Sequence, residues 1–200
     1  MTGQGPVTRA EGVPVLKAVL LDRDGVLNVN RPGYVRSAED WEWLPGARIG
    51  YGLLAAAGLP MVVITNQSAV GRGLMTVDAL DAVHARMTAG LAADGAAPPR
   101  VVYCPHAPET ACACRKPRPG MVLRALGFTG TAPHETVLIG DHESDLRAAA
   151  AAGCRSLHVR SGRGALPPQP PPGCLGSVAD LRAAAAMLVG SAGPYALPRV

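Results

Sequence analysis

The chain has 200 residues, of which 48% are hydrophobic and 17% are charged, so it is long and apolar enough to form one folded domain. The net charge is +4, and the 19 Lys and Arg residues are scattered along the chain, which argues against nucleic-acid binding. No apolar run approaches the roughly 20 residues that a membrane span needs. Residues 1–14 also lack the apolar core of a signal peptide. We therefore expect a cytoplasmic protein that binds neither nucleic acid nor membrane.

Short apolar runs and helical patterns alternate along the chain. The runs predict buried strands at residues 15–21, 61–64, 100–103, 136–139 and 156–159. Apolar residues at helical spacing predict helices at residues 47–57, 76–93, 119–126, 144–152 and 178–188. The first helix is expected to bury a stripe formed by Ile49, Leu53, Leu54 and Ala57. Five prolines and four glycines predict a loop over residues 161–176.

This alternation predicts the fold class. Strands that alternate with helices favour an α/β protein with a three-layer, Rossmann-like parallel sheet and helices on both faces. We expect a single domain over residues 1–200, with its core at about residues 15–190. In this architecture, ligands bind beyond the carboxyl ends of the strands.

Polar residues follow several of the predicted strands. Asp22 and Asp24 come directly after the first strand, Thr65 closes the second, and Asp141 follows the fourth. Taken alone, Asp-x-Asp-Gly is equally typical of a simple turn. Lys116 lies just before the helix at residue 119, where a cation and a helix N-terminus favour an anion such as phosphate. Carboxylates that hold Mg²⁺, with lysine and threonine donors, predict phosphoryl transfer.

The five cysteines are unevenly distributed. Cys104, Cys112 and Cys114 fall within eleven residues, whereas Cys154 and Cys174 stand alone. A disulfide framework would favour an even count and an oxidising compartment. The clustering therefore indicates metal binding.

Four segments carry a family resemblance: Asp-Arg-Asp-Gly-Val-Leu-Asn at 22–28, Thr-Asn-Gln-Ser at 65–68, Lys116, and Gly-Asp-x-x-x-Asp at 140–145. In order and spacing they resemble the four motifs of the haloacid dehalogenase superfamily over about residues 15–160. Within that superfamily the chain resembles the D-glycero-D-manno-heptose 1,7-bisphosphate phosphatases and the similar histidinol-phosphate phosphatases. Both intervals where the superfamily inserts large caps are short here, so no large cap domain is expected.

The resemblance implies a catalytic mechanism. Asp22 would be the nucleophile that forms an aspartyl-phosphate, and Asp24 the general acid and base. The carboxylate of Asp22, the backbone carbonyl of Asp24 and the carboxylate of Asp141 would hold Mg²⁺, without which no turnover is expected. Thr65 and Lys116 would bind the phosphate oxygens.

The resemblance also places residues against the substrate. These are Asn30, Arg31, Gly33, Tyr34, Asn66, Gln67, Ser68, Arg72 and Arg115. Arg72 and Arg115 are candidates for a second phosphate or for sugar hydroxyls, with a solvated surface arginine as the alternative for Arg72. His142 stands where the family commonly has lysine, which replaces a fixed charge by a group that titrates near neutrality. Asp145 is expected either to support the magnesium site or to favour the helix N-terminus.

The cysteine-rich segment resembles the family's zinc loop. Here it reads Cys104-Pro-His106, followed by Cys112-x-Cys114-Arg-Lys-Pro. Three thiolates and one imidazole form a closed tetrahedral set, which is typical of structural Zn²⁺, and free or buried thiols are the alternative. We expect this zinc to support Arg115 and Lys116.

The sequence thus predicts a monomeric, Mg²⁺-dependent phosphatase of a small phosphorylated metabolite. The resemblance implies that the expected reaction removes the 7-phosphate of D-glycero-D-manno-heptose 1,7-bisphosphate. Histidinol phosphate is the alternative substrate, and a non-catalytic, zinc-stapled binding protein is the alternative function.

Overall fold

A computed structural model describes residues 15–190 of the chain. Within them, the strands are β1 (Ala18–Leu21), β2 (Met61–Asn66), β3 (Arg100–Cys104), β4 (Thr136–Gly140), β5 (Arg155–Val159) and β6 (Cys174–Val178). The helices are α1 (Ala47–Ala56), α2 (Ser68–Gly71), α3 (Val77–Ala93), α4 (Gly120–Thr129), α5 (Glu143–Ala151) and α6 (Leu181–Val189). The strands form one parallel sheet in the order β3-β2-β1-β4-β5-β6. The predicted Rossmann-like fold class is therefore confirmed.

Side chains that alternate along the central strands explain the three layers. Val19 and Leu21 of β1 face a core shared with α1, α3 and α6. Leu20, between them, faces a second core that is closed by α4 and α5. Strand β1 lies near the centre of the sheet, and all four of its residues are therefore buried. Asp22 follows its carboxyl end and so lies in the middle of one edge of the sheet.

Helix α1 is confirmed, but its predicted buried stripe is wrong in two positions. Ile49 is 54% exposed and Leu53 is 41% exposed, whereas Tyr51 and Leu54 are buried. The reason is close packing against α6, since a Cβ atom at Gly50 would lie 2.6 Å from the Leu181 backbone. A small residue therefore sets the packing face, which a search for large apolar residues overlooks.

The structure also corrects the predicted loop at residues 161–176. Its last residues belong to β6, a half-buried strand that begins at Cys174 and includes Gly176 with φ +114°. Neighbouring prolines and glycines hide this strand in the sequence, and its pairing with β5 carries an irregularity between Ser156 and His158. The four-residue helix α2 was likewise not predicted.

No helix in the part of the chain that the structure describes is long and apolar enough to cross a membrane. The two intervals in which a cap was considered hold only elements of the core. Between β1 and β2 lies α1, and between β2 and β4 lie α2, α3, β3 and α4. Among residues 15–190, therefore, no separate cap domain covers the sheet edge that carries the polar residues.

Candidate active site

The carboxyl ends of β1, β2 and β4 meet at a cavity of about 460 Å³. The predicted residues that line it are Asp22, Asp24, Asn30, Arg31, Tyr34, Thr65, Asn66, Gln67, Ser68, Arg72, Arg115, Lys116, Asp141 and His142. Gly33 is exposed and lies outside it, because a turn closed by the Tyr34 N–H and the Arg31 carbonyl projects Gly33 to solvent. Asp145 is buried and does not line the cavity.

Lys116 is the cation at the base of this cavity. Its Nζ lies 2.8 Å from Asp22 Oδ1 and 2.6 Å from Asp145 Oδ1, and it donates to the carbonyl of Ile64 at 2.9 Å. The side chain is 98% buried, so it loses hydration that these three acceptors replace. Asn66 holds the Lys116 backbone from both sides with two hydrogen bonds of 3.1 Å. The lysine is therefore held rigidly beside Asp22.

Electrostatics at this cluster depend on burial. Burial raises the pKa of Asp22 well above its ordinary value, opposed by the Lys116 ammonium and reinforced by Asp145 and Asp141. Burial also raises the pKa of Asp141. For Lys116, burial alone would lower the pKa, but the carboxylates of Asp145 and Asp22 raise it, so the lysine stays charged. Crowded carboxylates of this kind favour a further cation.

The carboxylates fit a magnesium ion. One oxygen from each of Asp22, Asp141 and Asp145 lies within 4.8 Å of the others. Hard oxygen ligands are what Mg²⁺ prefers, and a divalent ion would offset the burial and the mutual repulsion that raise the pKa values of Asp22 and Asp141. Both oxygens of Asp145 are already used, Oδ1 by Lys116 and Oδ2 by the backbone N–H of His142, whereas the contacts of Asp22 fall on Oδ1, so Asp22 and Asp141 are the better placed ligands.

Asp145 contacts both Lys116 and the start of α5. Its Oδ1 pairs with Lys116, and its Oδ2 accepts from the backbone N–H of His142 at 3.1 Å. The ring of His142 accepts in turn from the Ser144 N–H, so the two side chains cap the start of α5. His142 therefore lines the cavity and is held at the N-terminus of α5.

Asp24 is surrounded by hydrogen-bond donors. Nη2 of Arg23 lies 3.0 Å from both carboxylate oxygens, Asn28 donates at 2.9 Å, and Gln67 donates at 2.8 Å. Gln67 also donates to Thr65 Oγ1 at 2.8 Å, which links the two polar strand ends. Burial favours the neutral form of Asp24, but Arg23 and the other donors outweigh it and lower the pKa. This arrangement favours the ionised form of Asp24.

Arg23, between the two aspartates, is held by contacts that no sequence motif predicts. This side chain is fully buried, with its guanidinium 6.0 Å from the Trp41 ring centroid and Nη1 3.4 Å from Nε2 of His84. Burial and the Arg23 charge lower the pKa of His84 to about 4, while Asp24 opposes that shift. His84 is thus a buried, neutral hydrogen-bond acceptor for Arg23.

A depressed histidine pKa makes stability depend on pH. Between about pH 6.5 and pH 4 the unfolded chain binds a proton at His84 that the folded chain does not. The free energy of unfolding therefore decreases as the pH is lowered through this range. For this group the loss amounts to roughly 2–3 kcal/mol by about pH 4.5. His84→Gln, which keeps an acceptor for Arg23, is expected to reduce the acid-induced loss by that amount in urea unfolding. The exposed His134→Gln is the control, and equal pH dependence in both variants would refute the prediction.

The cysteine cluster forms beside this cavity. Sγ of Cys114 lies 3.4 Å from Sγ of Cys104 and of Cys112, and 3.3 Å from Nδ1 of His106. Cys104 lies 3.5 Å from Cys112 and 3.6 Å from His106. Ligands at ordinary zinc distances would be separated by about 3.6–3.8 Å at the corners of a tetrahedron. The four side chains therefore fit one tetrahedral metal ion.

Several arginines line the cavity. Nη1 of Arg115 is buried without a hydrogen-bond partner among the described residues. Arg72 is exposed and forms a solvent-exposed ion pair with Glu109 at 3.4 Å. Arg163, which belongs to none of the sequence motifs, also lines the cavity and donates to the Arg31 carbonyl at 3.0 Å. These positive groups suit a ligand with more than one anionic group.

Comparison with known proteins gives a consistent result. Residues 113–181 match a family model described as HAD-hydrolase-like. A D-glycero-β-D-manno-heptose-1,7-bisphosphate 7-phosphatase of Pseudomonas putida is 41% identical over 150 residues, covering 74% of this chain and 85% of that protein. The α-anomer enzyme of Mycobacterium tuberculosis is 41% identical over 148 residues, covering 70% and 78%.

A solved structure is similar over nearly its whole length. The D,D-heptose 1,7-bisphosphate phosphatase of B. bronchiseptica, complexed with magnesium and phosphate, superimposes with a TM-score of 0.83 at 36% identity. The match covers 88% of this chain and 99% of that one. The fold and the strand-end site thus define a hydrolase of the haloacid dehalogenase superfamily. Within it, the chain belongs to the family of D-glycero-D-manno-heptose-1,7-bisphosphate 7-phosphatases.

Proposed function

We propose that this chain is a Mg²⁺-dependent phosphatase that removes the 7-phosphate of D-glycero-D-manno-heptose 1,7-bisphosphate. The observation that carries the proposal is the contact of Asp22 with Lys116 at the base of a cavity whose wall holds several arginines. The relatives named 7-phosphatases support the substrate, and the magnesium and phosphate in the B. bronchiseptica structure support the cofactor and the ligand class.

Asp22 is proposed to be the nucleophile. Its carboxylate attacks phosphorus in line with the leaving sugar oxygen, the P–O bond to the sugar breaks, and an aspartyl-phosphate forms. Lys116 and the backbone N–H of Arg23, at 2.7 Å, both contact Oδ1 of Asp22 and so hold this carboxylate in position. Bound Mg²⁺, held by Asp22, Asp141 and the backbone carbonyl of Asp24, would offset the negative charge of phosphate and nucleophile.

Asp24 is proposed to move the protons. In protonated form it donates to the departing sugar oxygen, and in ionised form it accepts a proton from the water that attacks the aspartyl-phosphate. The contacts from Arg23, Asn28 and Gln67 stabilise the ionised form, which is the form the second step requires. Thr65 and Lys116 are proposed to bind the equatorial phosphate oxygens where charge gathers in the transition state.

The arginines are proposed to bind the phosphate that is not cleaved. Arg115 supports this role most directly, since its buried Nη1 lacks a protein partner and an anion would supply one. Arg72 and Arg163 line the same cavity. The Arg72 side chain is engaged only in a solvent-exposed ion pair with Glu109. A second phosphate distinguishes the bisphosphate from histidinol phosphate, which carries one.

The cysteine cluster is proposed to hold structural Zn²⁺. Three thiolates and one imidazole fill a tetrahedral shell and leave no position for substrate, so this metal would act as a support. Cys114 is followed directly by Arg115 and Lys116, so the same loop carries both phosphate-binding cations. The chain is proposed to act on a small phosphorylated metabolite as a single domain.

The proposed function predicts substrate and position selectivity. With Mg²⁺, the α- or β-anomer of the bisphosphate is expected to release phosphate with a kcat/KM at least about tenfold above histidinol phosphate. Phosphorus NMR should show that the sugar keeps its 1-phosphate. Heptose 7-phosphate, which lacks the second phosphate, is the matched control and should be a poorer substrate. Release of the 1-phosphate, or faster hydrolysis of histidinol phosphate, would refute the proposal.

A further inference from the structure

A short loop after β5 contacts the proposed magnesium ligand Asp141. The backbone N–H of Arg163 donates to Oδ2 of Asp141 at 2.8 Å, and the N–H of Gly164 donates to the Asp141 carbonyl at 3.1 Å. Ser161 donates through Oγ to the carbonyl of Gly25 at 2.7 Å, which ties the loop to the segment after β1. We refer to residues 161–164 as the 161–164 loop.

Space, and not backbone conformation, requires glycine at position 162. A Cβ atom there would lie 1.9 Å from Oδ2 of Asp141, so a side chain at this position would force the Asp141 carboxylate or the loop to move. Gly162 does not have a left-handed backbone, unlike Gly25, whose φ is +92°. A Cβ at Gly25 would lie 2.4 Å from the same oxygen. The Asp141 carboxylate therefore lies between two backbone segments that approach it because neither has a side chain.

This enclosure determines which oxygen of Asp141 is available. Oδ2 accepts from the Arg163 N–H and lies against Gly162 and Gly25, so Oδ1 is the oxygen left to a metal. Mg²⁺ demands near-ideal octahedral geometry at about 2.0–2.1 Å, whereas Ca²⁺ accepts longer and more variable distances. A small rotation of the carboxylate would therefore harm Mg²⁺ binding more than Ca²⁺ binding.

We propose that the 161–164 loop is a positioning element of the magnesium site, which holds Asp141 in the single orientation that Mg²⁺ requires. The proposal rests on the magnesium site of the proposed function. It assigns a role in metal selectivity to Gly162, Ser161 and the Arg163 backbone. A loop that only completes the fold would not discriminate between two divalent ions.

Calorimetric binding of Mg²⁺ and of Ca²⁺ to the full chain, without substrate, tests this proposal. Gly162→Ala is expected to raise the Kd for Mg²⁺ at least about tenfold, which is the effect typical of losing a group that orients a metal ligand. The Kd for Ca²⁺ should rise less than about threefold because its coordination is adaptable. Gly127→Ala, in α4 with no atom within 4 Å of its Cβ, is the matched control and should bind both ions normally.

Ser161→Ala keeps the test decisive if Gly162→Ala fails to fold. It adds no volume and removes only the hydrogen bond to the Gly25 carbonyl, so a rise in the Mg²⁺ Kd that exceeds the rise for Ca²⁺ supports the proposal. Equal weakening of both ions, or unchanged Mg²⁺ binding in both variants, overturns it. If the unmodified chain binds no Mg²⁺, the magnesium site of the proposed function fails instead.

Discussion

Asp22→Asn is expected to reduce kcat for the bisphosphate by at least about 10⁴-fold, the scale of loss seen when a covalent nucleophile is removed. The amide cannot form the aspartyl-phosphate, so the reaction loses its first step. KM is expected to change little, because Lys116, Thr65 and the arginines still bind the phosphates. The measurement is steady-state phosphate release at saturating Mg²⁺.

The same substitution is expected to leave the fold intact or stabilise it. Burial and the neighbouring carboxylates of Asp145 and Asp141 raise the pKa of Asp22, so a neutral amide removes repulsion in the metal-free protein. Lys116 keeps its contact with Asp145 at 2.6 Å. Asp81→Asn, at an exposed position of α3, is the matched control and should retain full activity. If Asp22→Asn keeps activity within tenfold of the unmodified chain, the proposed nucleophile is wrong.

The central part of the site was predictable because topology brings strand ends together. Asp22, Thr65 and Asp141 are more than 100 residues apart at the extremes, yet each directly follows or closes a buried strand. A parallel sheet places all such ends at one edge, so recognising the strands was enough to group the residues. The cysteine cluster was predictable for a simpler reason, since its four residues lie within eleven positions of the chain.

The surroundings of these residues were not predictable in the same way. His84 contacts Arg23 across 61 positions, and no local pattern in α3 distinguishes it from a surface histidine. Gly162 acts through the absence of a side chain, which a Pro- and Gly-rich segment conceals. The buried face of α1 likewise depends on how closely α6 approaches Gly50. Each of these features is a long-range contact whose partner the sequence does not reveal.

Substitution of one cysteine ligand is expected to remove zinc and weaken catalysis together. Cys114 lies at the centre of the cluster, within 3.4 Å of Cys104, Cys112 and His106. Two residues later, Lys116 is held to Asn66 by two backbone hydrogen bonds and to Asp22 by its ammonium. Since the metal would fix the loop from which this lysine extends, its loss should loosen a group that contacts the nucleophile. Cys114→Ser is therefore expected to lower kcat/KM by about 10–100-fold.

Metal content and thermal unfolding separate this effect from simple loss of a buried thiol. The unmodified chain should contain one zinc, and a strong chelator should lower its Tm by about 5–10 °C, because a metal that binds only the folded state adds a few kcal/mol. Cys114→Ser should contain no zinc and show no further shift with chelator. Cys174→Ser, outside the cluster, should match the unmodified chain in zinc content, chelator response and kcat/KM. If Cys114→Ser loses zinc but keeps full kcat/KM, the metal does not support the phosphate-binding loop, and Asn66 alone is sufficient to hold Lys116.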